Sequence, residues 1–248
     1  MAIHSPVITG LHASSGMRER LIVALDVSSA GEAQKLVARI GDAAGIYKVG
    51  LQLFTAEGPS VVRDLVSSGR RVFLDLKLHD IPTTVGLAVK SAVELGADML
   101  TVHAGGGAAM LRAATEAAAG RLNILAVTVL TSLNDEDMQE IGVAGRVSDQ
   151  VLRMAALAQS SGCQGIVTSP REALMARKAM GEGFAIVTPG IRPAGIATND
   201  QQRTATPAQA ISNGVSHIVV GRPITHAPDP AKAAASIISE MEQARNTR

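Results

Sequence analysis

The stretch FLDLKLHD (73–80) sets a carboxylate, Asp75, and an ammonium, Lys77, two residues apart inside an otherwise apolar run. In a β-strand alternate side chains point to opposite faces, so Leu74, Leu76 and Leu78 share one side while Phe73, Asp75, Lys77 and His79 share the other. Fixed opposite charges on a face turned from bulk water suit electrostatic and proton-transfer chemistry. The same residues admit a competing reading. His79 and Asp80 are adjacent, Asp75 is near, and His103 ends another apolar run, which is a carboxylate and histidine set of the kind that binds a divalent cation. Lys77 lies within that set, and an ammonium among the ligands opposes a cation, so no metal is expected. GxSxG and GxGxxG fingerprints are absent, and no nucleophile stands beside an evident base.

The elements that must carry these residues follow from periodicity. Short apolar runs recur: LIVALD (21–26), GIYKVG (45–50), RVFLDLK (71–77), ADMLTVH (97–103), LNILAVTVL (122–130), QGIVTS (164–169), FAIVTP (184–189) and SHIVVGR (216–222). Between them lie segments such as AGEAQKLVARIG, AEGPSVVRDLVSSG, TTVGLAVKSAVELG and SDQVLRMAALAQSSG, with apolar residues at three- and four-residue spacing and Gly near the close. Unbroken alternation of apolar strands with helices predicts a parallel sheet covered by helices. Eight such units in a chain of 248 residues fit a single-domain α/β fold, a closed (β/α)8 TIM barrel, better than an open sheet. The barrel is expected over 17–248, with residues 1–16 as a flexible leader and Met17 as a second candidate start. The region 131–150 is expected to hold a short extra helix.

In such a barrel the C-terminal strand ends form one functional rim. The runs end at or carry Asp26, Lys48, Asp75 with Lys77, His103, Thr131 with Ser132, Pro189 to Arg192, and Gly221-Arg222, so charged and hydrogen-bonding groups gather there. The loops after strands seven and eight, where these barrels commonly bind phosphate, read TPGIRPAGIATNDQQR (188–203) and GRPIT (221–225). Arg192 and Arg203 supply charge, and Gly221-Arg222 sets a backbone amide beside a guanidinium, which suits a phosphate dianion. The long loop from about 190 to 206 has the composition of a mobile lid. Gly105-Gly106-Gly107 reads either as a tight turn or as an anion nest.

Composition removes other classes. Net charge is +1, from 23 basic and 22 acidic residues, which gives no field to gather nucleic acid or an anionic membrane. Aromatic residues make up 2%, too few for a stacking platform. No apolar run approaches the roughly 20 residues of a membrane span, and residues 1–16 lack the pattern of a signal peptide. Cys163, the single cysteine, forbids an intrachain disulfide and suits the cytoplasm, where it is expected to act as a small buried hydrophobe. His217 and His226 are expected to be structural or solvated.

DLKLHDIP (75–82) resembles the D-x-K-x-x-D signature of the orotidine 5′-monophosphate decarboxylase family. The resemblance covers nearly the whole chain after residue 16, through ALD (24–26), YKVG (47–50), TVHAGGG (101–107), AVTVLTSL (126–133), TPGIRP (188–193), DQQR (200–203) and VVGRPIT (219–225). It implies conversion of orotidine 5′-monophosphate to UMP by a homodimer that needs neither metal nor organic cofactor. By position it implies that Lys77 protonates C6 and that Asp75, Lys77 and Lys48 form a charge network completed by Asp80 of the neighbouring subunit. It places Asp26 and Lys48 at the ribose, Thr84 at the ribose of the partner's site, and Thr131 and Ser132 near the pyrimidine. Arg192, Gln201, Gly221 and Arg222 fall at the phosphate end. The third-strand signature alone is shared with related sugar-phosphate barrels, so the alternative is a Mg2+-dependent sugar-phosphate decarboxylase or aldolase.

Overall fold

A computed structural model describes residue 11 and residues 16–193 and 204–246. Eight parallel strands close in sequence order: β1 (Leu21–Ala24), β2 (Ile46–Gly50), β3 (Arg71–Leu78), β4 (Met99–His103), β5 (Asn123–Val127), β6 (Gly165–Val167), β7 (Ala185–Thr188) and β8 (His217–Val220). Closure is made by β8 against β1, with Ile218 opposite Leu21 and Val220 opposite Val23. The helices are α1 (Ala30–Ile40), α2 (Leu51–Glu57), α3 (Ser60–Ser67), α4 (Pro82–Glu94), α5 (Gly107–Ala118), α6 (Asp135–Glu140), α7 (Val147–Ser160), α8 (Pro170–Met180), α9 (Pro207–Ser212), α10 (Arg222–Thr225) and α11 (Pro230–Asn246). The predicted eight-unit barrel is therefore the observed one.

Strand alternation divides the apolar residues into two layers. Ile22, Ala24, Ile46, Phe73, Met99, Leu125, Ala185, Val187 and Val219 fill the barrel interior. Their neighbours in sequence, among them Val23, Tyr47, Leu74, Leu100, Ile124, Ile186 and Ile218, face outward into a second cluster beneath the helices. Leu11 is buried against the interior set; the rest of the expected leader, apart from Gly16, lies outside the described residues. Cys163 is buried, and burial pushes its thiol up to about 12, so it acts as a hydrophobe.

Local sequence explains three departures in detail. The segment AEGPSVVRDLVSSG holds two helices rather than one, because Gly58 closes α2 at φ 67° and Pro59 introduces α3. The fifth run stops as a strand at Val127 and not at Leu130: Thr128 donates both its N–H and its hydroxyl to the Val167 carbonyl, where β6 also ends. The extra helix expected in 131–150 is α6, whose N-terminus is tied by reciprocal bonds between Asn134 and Asp137.

The barrel closes tightly between β6 and β7. A Cβ added at Gly165 would lie 2.6 Å from the Ala185 Cβ and would press on the Ala185 carbonyl oxygen. Because backbone cannot swing aside as a flexible side chain can, Gly165→Ala is expected to destabilise the fold by about 1–3 kcal/mol. A lowered urea unfolding midpoint at unchanged m-value is the measurement.

Candidate active site

The register of β2 against β3 sets the core of the site. Lys48 lies opposite Phe73 and Gly50 opposite Asp75, so the Lys48 side chain and the Asp75 carboxylate rise side by side from adjacent strands. Lys48 Nζ is 3.1 Å from Asp26 Oδ1 at the end of β1 and 3.7 Å from Asp75 Oδ2. Lys77 Nζ bonds both oxygens of Asp75 at 2.9 Å. The side chains of Asp75 and Lys48 are only 14% and 12% exposed, so these charges depend on partners within the cluster for compensation. Gly50 makes room for this: a Cβ there would sit 2.8 Å from Lys48 Nζ.

Asp75 and Lys77 reach the mouth together, as parity suggested, but not on a regular strand. Leu74 pairs with Leu100 and Leu78 with Val102, so β3 spends four residues where β4 spends two. The excess is a bulge, and Lys77 within it adopts φ 51°, the left-handed region that a non-glycine residue rarely takes. Such a conformation costs on the order of 1–3 kcal/mol and persists only where surrounding contacts hold it. Here the Lys77 N–H donates to Thr101 Oγ1 at 2.8 Å, and the same hydroxyl donates to Asp75 Oδ1 at 2.9 Å.

These groups stand on the floor of a cavity of about 560 Å³. Asp26, Lys48, Asp75 and Lys77 line one part; Thr131, Pro189, Gly190, Arg192, Gly221 and Arg222 line the rest. Phe73, Val167 and Val219 of the interior layer close the bottom. Ser132 is exposed in the turn beside Thr131 and does not line the cavity, and Gln201 lies outside the described residues, as does Arg203. The site also contains residues that the sequence reading did not select: Gly50, Gln52, Thr101 and the cavity-lining His226. Gly50 alone had a visible signal, as the break that follows the lysine in YKVG.

The sequence profile described as "Orotidine 5'-phosphate decarboxylase / HUMPS family" matches residues 19–237. This chain belongs to that family. A protein of Moorella thermoacetica named orotidine 5'-phosphate decarboxylase is 51% identical over 237 residues, spanning 92% of this chain and 94% of the relative. One of Halorhodospira halophila with the same name is 52% identical over 228 residues, spanning 91% and 97%. The crystal structure of orotidine 5'-phosphate decarboxylase from Lactobacillus acidophilus superposes with a TM-score of 0.81 at 38% identity, covering 90% of this chain and 99% of that one.

Asp80 of the family signature and Thr84 just beyond it do not line this cavity. Asp80 is exposed, with Oδ1 accepting the Ile81 N–H at 2.6 Å, and Thr84 is exposed on the first turn of α4. Ile81 and Leu87, 66% and 59% exposed, flank them. No helix among the described residues is long and apolar enough to cross a membrane.

At the edge of the same site, the rings of His79 and His103 stack with centroids 5.1 Å apart. Burial holds the His103 pKa below its usual value, and the neighbouring His79 and Lys77 add to the effect. Folded His103 therefore stays neutral where the unfolded chain, near 6.5, already takes up a proton. Stability from this residue is present above the unfolded value and is lost as pH falls below it. Unfolding midpoints at pH 7.5 and 5.5 should differ less in His103→Gln than in the parent protein, and an equal difference would exclude His103 as the cause.

Proposed function

We propose that this chain decarboxylates orotidine 5′-monophosphate to UMP, without a metal or organic cofactor, in the cytoplasm. The observation that carries the reading is the Lys77 ammonium held by both oxygens of Asp75, on the floor of a cavity whose rim bears Arg192 and Arg222. The names of the relatives across nearly their full lengths support it.

The chemistry follows from charge. Loss of CO2 from C6 leaves an electron pair in the ring plane that no ring system delocalises, so the protein must supply fixed positive charge and then a proton. Lys77 supplies both: its ammonium faces the developing carbanion and transfers a proton to C6. At an effective dielectric near 20, unit charges about 4 Å apart interact by roughly 4 kcal/mol, a substantial part of the roughly 8–23 kcal/mol by which enzymes lower barriers. The rest comes from holding the substrate at its far end, where Arg192, Gly221 and Arg222, with Gln201, take the phosphate. Asp26 and Lys48 bind the ribose, and Thr131 approaches the pyrimidine. Lys48 and Lys77 both occupy the Asp75 carboxylate, which disfavours a Mg2+ ion on that group and hence the sugar-phosphate alternative.

The active assembly is a homodimer in which Asp80 and Thr84 of one copy enter the site of the other. The exposed Ile81 and Leu87 beside them supply apolar surface for that contact.

The direct assay is the fall in orotidine 5′-monophosphate absorbance with EDTA present. Activity should survive the chelator and should fall by at least about 1,000-fold in Lys77→Ala with the fold retained, as expected when both fixed charge and proton donor are removed. Near-normal turnover by that variant, or loss of activity in EDTA, would count against the mechanism. Asp80→Ala should also be nearly inactive. Equilibrating it with Lys77→Ala should restore about a quarter of the parent rate, because random exchange leaves half the dimers mixed with one complete site each; no recovery despite subunit exchange would refute the shared site.

A further inference from the structure

Between Leu100 and Val102, Thr101 has no register partner on β3, because the ladder steps from Leu74 to Leu78 across that gap. Its opposite edge is regular, with Thr101 opposite Leu125 on β5. Thr101 is fully buried, so its hydroxyl must satisfy its bonds within the protein. It satisfies both on the bulge: it accepts the Lys77 N–H at 2.8 Å and donates to Asp75 Oδ1 at 2.9 Å. One oxygen atom thus replaces the missing ladder bond and fixes the carboxylate that holds Lys77 Nζ.

We infer that Thr101 is a positioning residue for the decarboxylation, locking the backbone of Lys77 and the carboxylate of Asp75 into one rigid unit on the barrel floor. The inference rests on the proposed function. It assigns Thr101 no contact with substrate. The left-handed backbone at Lys77 has a lower-strain alternative, and the Thr101 hydroxyl is the contact that ties the amide of that residue to the neighbouring strand. Without it the Lys77 amide is left unpaired, Asp75 loses a donor, and the ammonium can move by a fraction of its bond distances. Arg192, Arg222 and Asp26, assigned to phosphate and ribose, make no bond to Thr101, and Lys48 keeps its own 3.1 Å bond to Asp26. The effect therefore falls on the chemical step and spares ground-state binding.

The test compares Thr101→Val, which keeps the shape and removes the hydroxyl, with Thr101→Ser, which keeps the hydroxyl and removes the methyl. With both variants folded by circular dichroism, Thr101→Val should lower kcat by about 10–100-fold, the scale of a small misplacement of a catalytic group. KM should stay within about twofold, and Thr101→Ser should recover most of the rate. Amide hydrogen exchange at Lys77 should accelerate in the valine variant and remain near the parent rate in the serine variant. If Thr101→Val does not fold, Thr101→Ala is compared with Thr101→Ser by the same readouts. An unchanged kcat in the hydroxyl-free variant, a change confined to KM, or a loss that serine does not repair would overturn the assignment while leaving the parent activity and the proposed function in place. An inactive parent protein would defeat the proposed function and this inference with it.

Discussion

The structure of the rim depends on the Asp75 carboxylate, held largely out of water between two ammoniums. A buried carboxylate without compensation is untenable, and one with two cations and a hydroxyl is stable in a single orientation. Lys48 arrives from β2 and Lys77 from the bulge of β3, with the hydroxyl from β4. Three adjacent strands are therefore committed to one anion. Displacing any of them removes a partner from the carboxylate, which the regular β2/β3 register and the bulge bond to Thr101 otherwise hold in place.

The closed barrel is what makes that arrangement affordable. Phe73, Met99, Leu125 and Val187 fill the barrel beneath the charges, and the cluster lines the cavity above. A low-dielectric floor strengthens each ion pair and also raises the penalty for leaving one unmade. The outer apolar layer, from Val23 through Leu74 to Ile218, seals the strands beneath the helices and carries the bulk of the hydrophobic stabilisation. The strained backbone at Lys77 can then be tolerated, since the rest of the sheet is regular and the strain is confined to one bulge.

How far this was legible in the sequence differs by scale. The eight strands and most helices could be read because a period of two or 3.6 is written locally in residue type, and Gly58-Pro59 shows how an unweighed local signal splits a helix. The inward aim of Lys48 and Asp75 followed from the same parity. The bulge did not, because the hydroxyl bonded to it lies 24 residues further along the chain, and no local pattern in DLKLHD marks the partner. Gly50 carries a role that depends on where the tip of a lysine comes to rest, and Gln52 becomes a cavity residue only once α2 is seen to start at Leu51. That Arg192 and Arg222 would meet at one cavity was readable because the barrel topology fixes which loops converge. Asp80 and Thr84 face outward, and only the family resemblance gives them a destination.

The charge balance of the cluster limits how the substrate can be held. Asp26 and Asp75 offset Lys48 and Lys77 within one chain, and in the proposed dimer Asp80 of a second copy adds a further negative charge. The end of the cavity that receives the substrate carboxylate in the proposed reaction therefore presents no net attraction for an anion, even though it contains two ammoniums. Attraction is concentrated at the other end, where Arg192 and Arg222 line the rim. Binding energy from the phosphate can then place the carboxylate beside Lys77 without the cluster itself favouring the ground state. In the proposed mechanism the negative charge moves to C6 when CO2 departs, and the Lys77 ammonium takes it up. Under that proposal the interaction that strengthens along the reaction is the one with Lys77, and the interaction that stays constant is with the arginines, which is the division of labour that raises kcat rather than merely lowering KM.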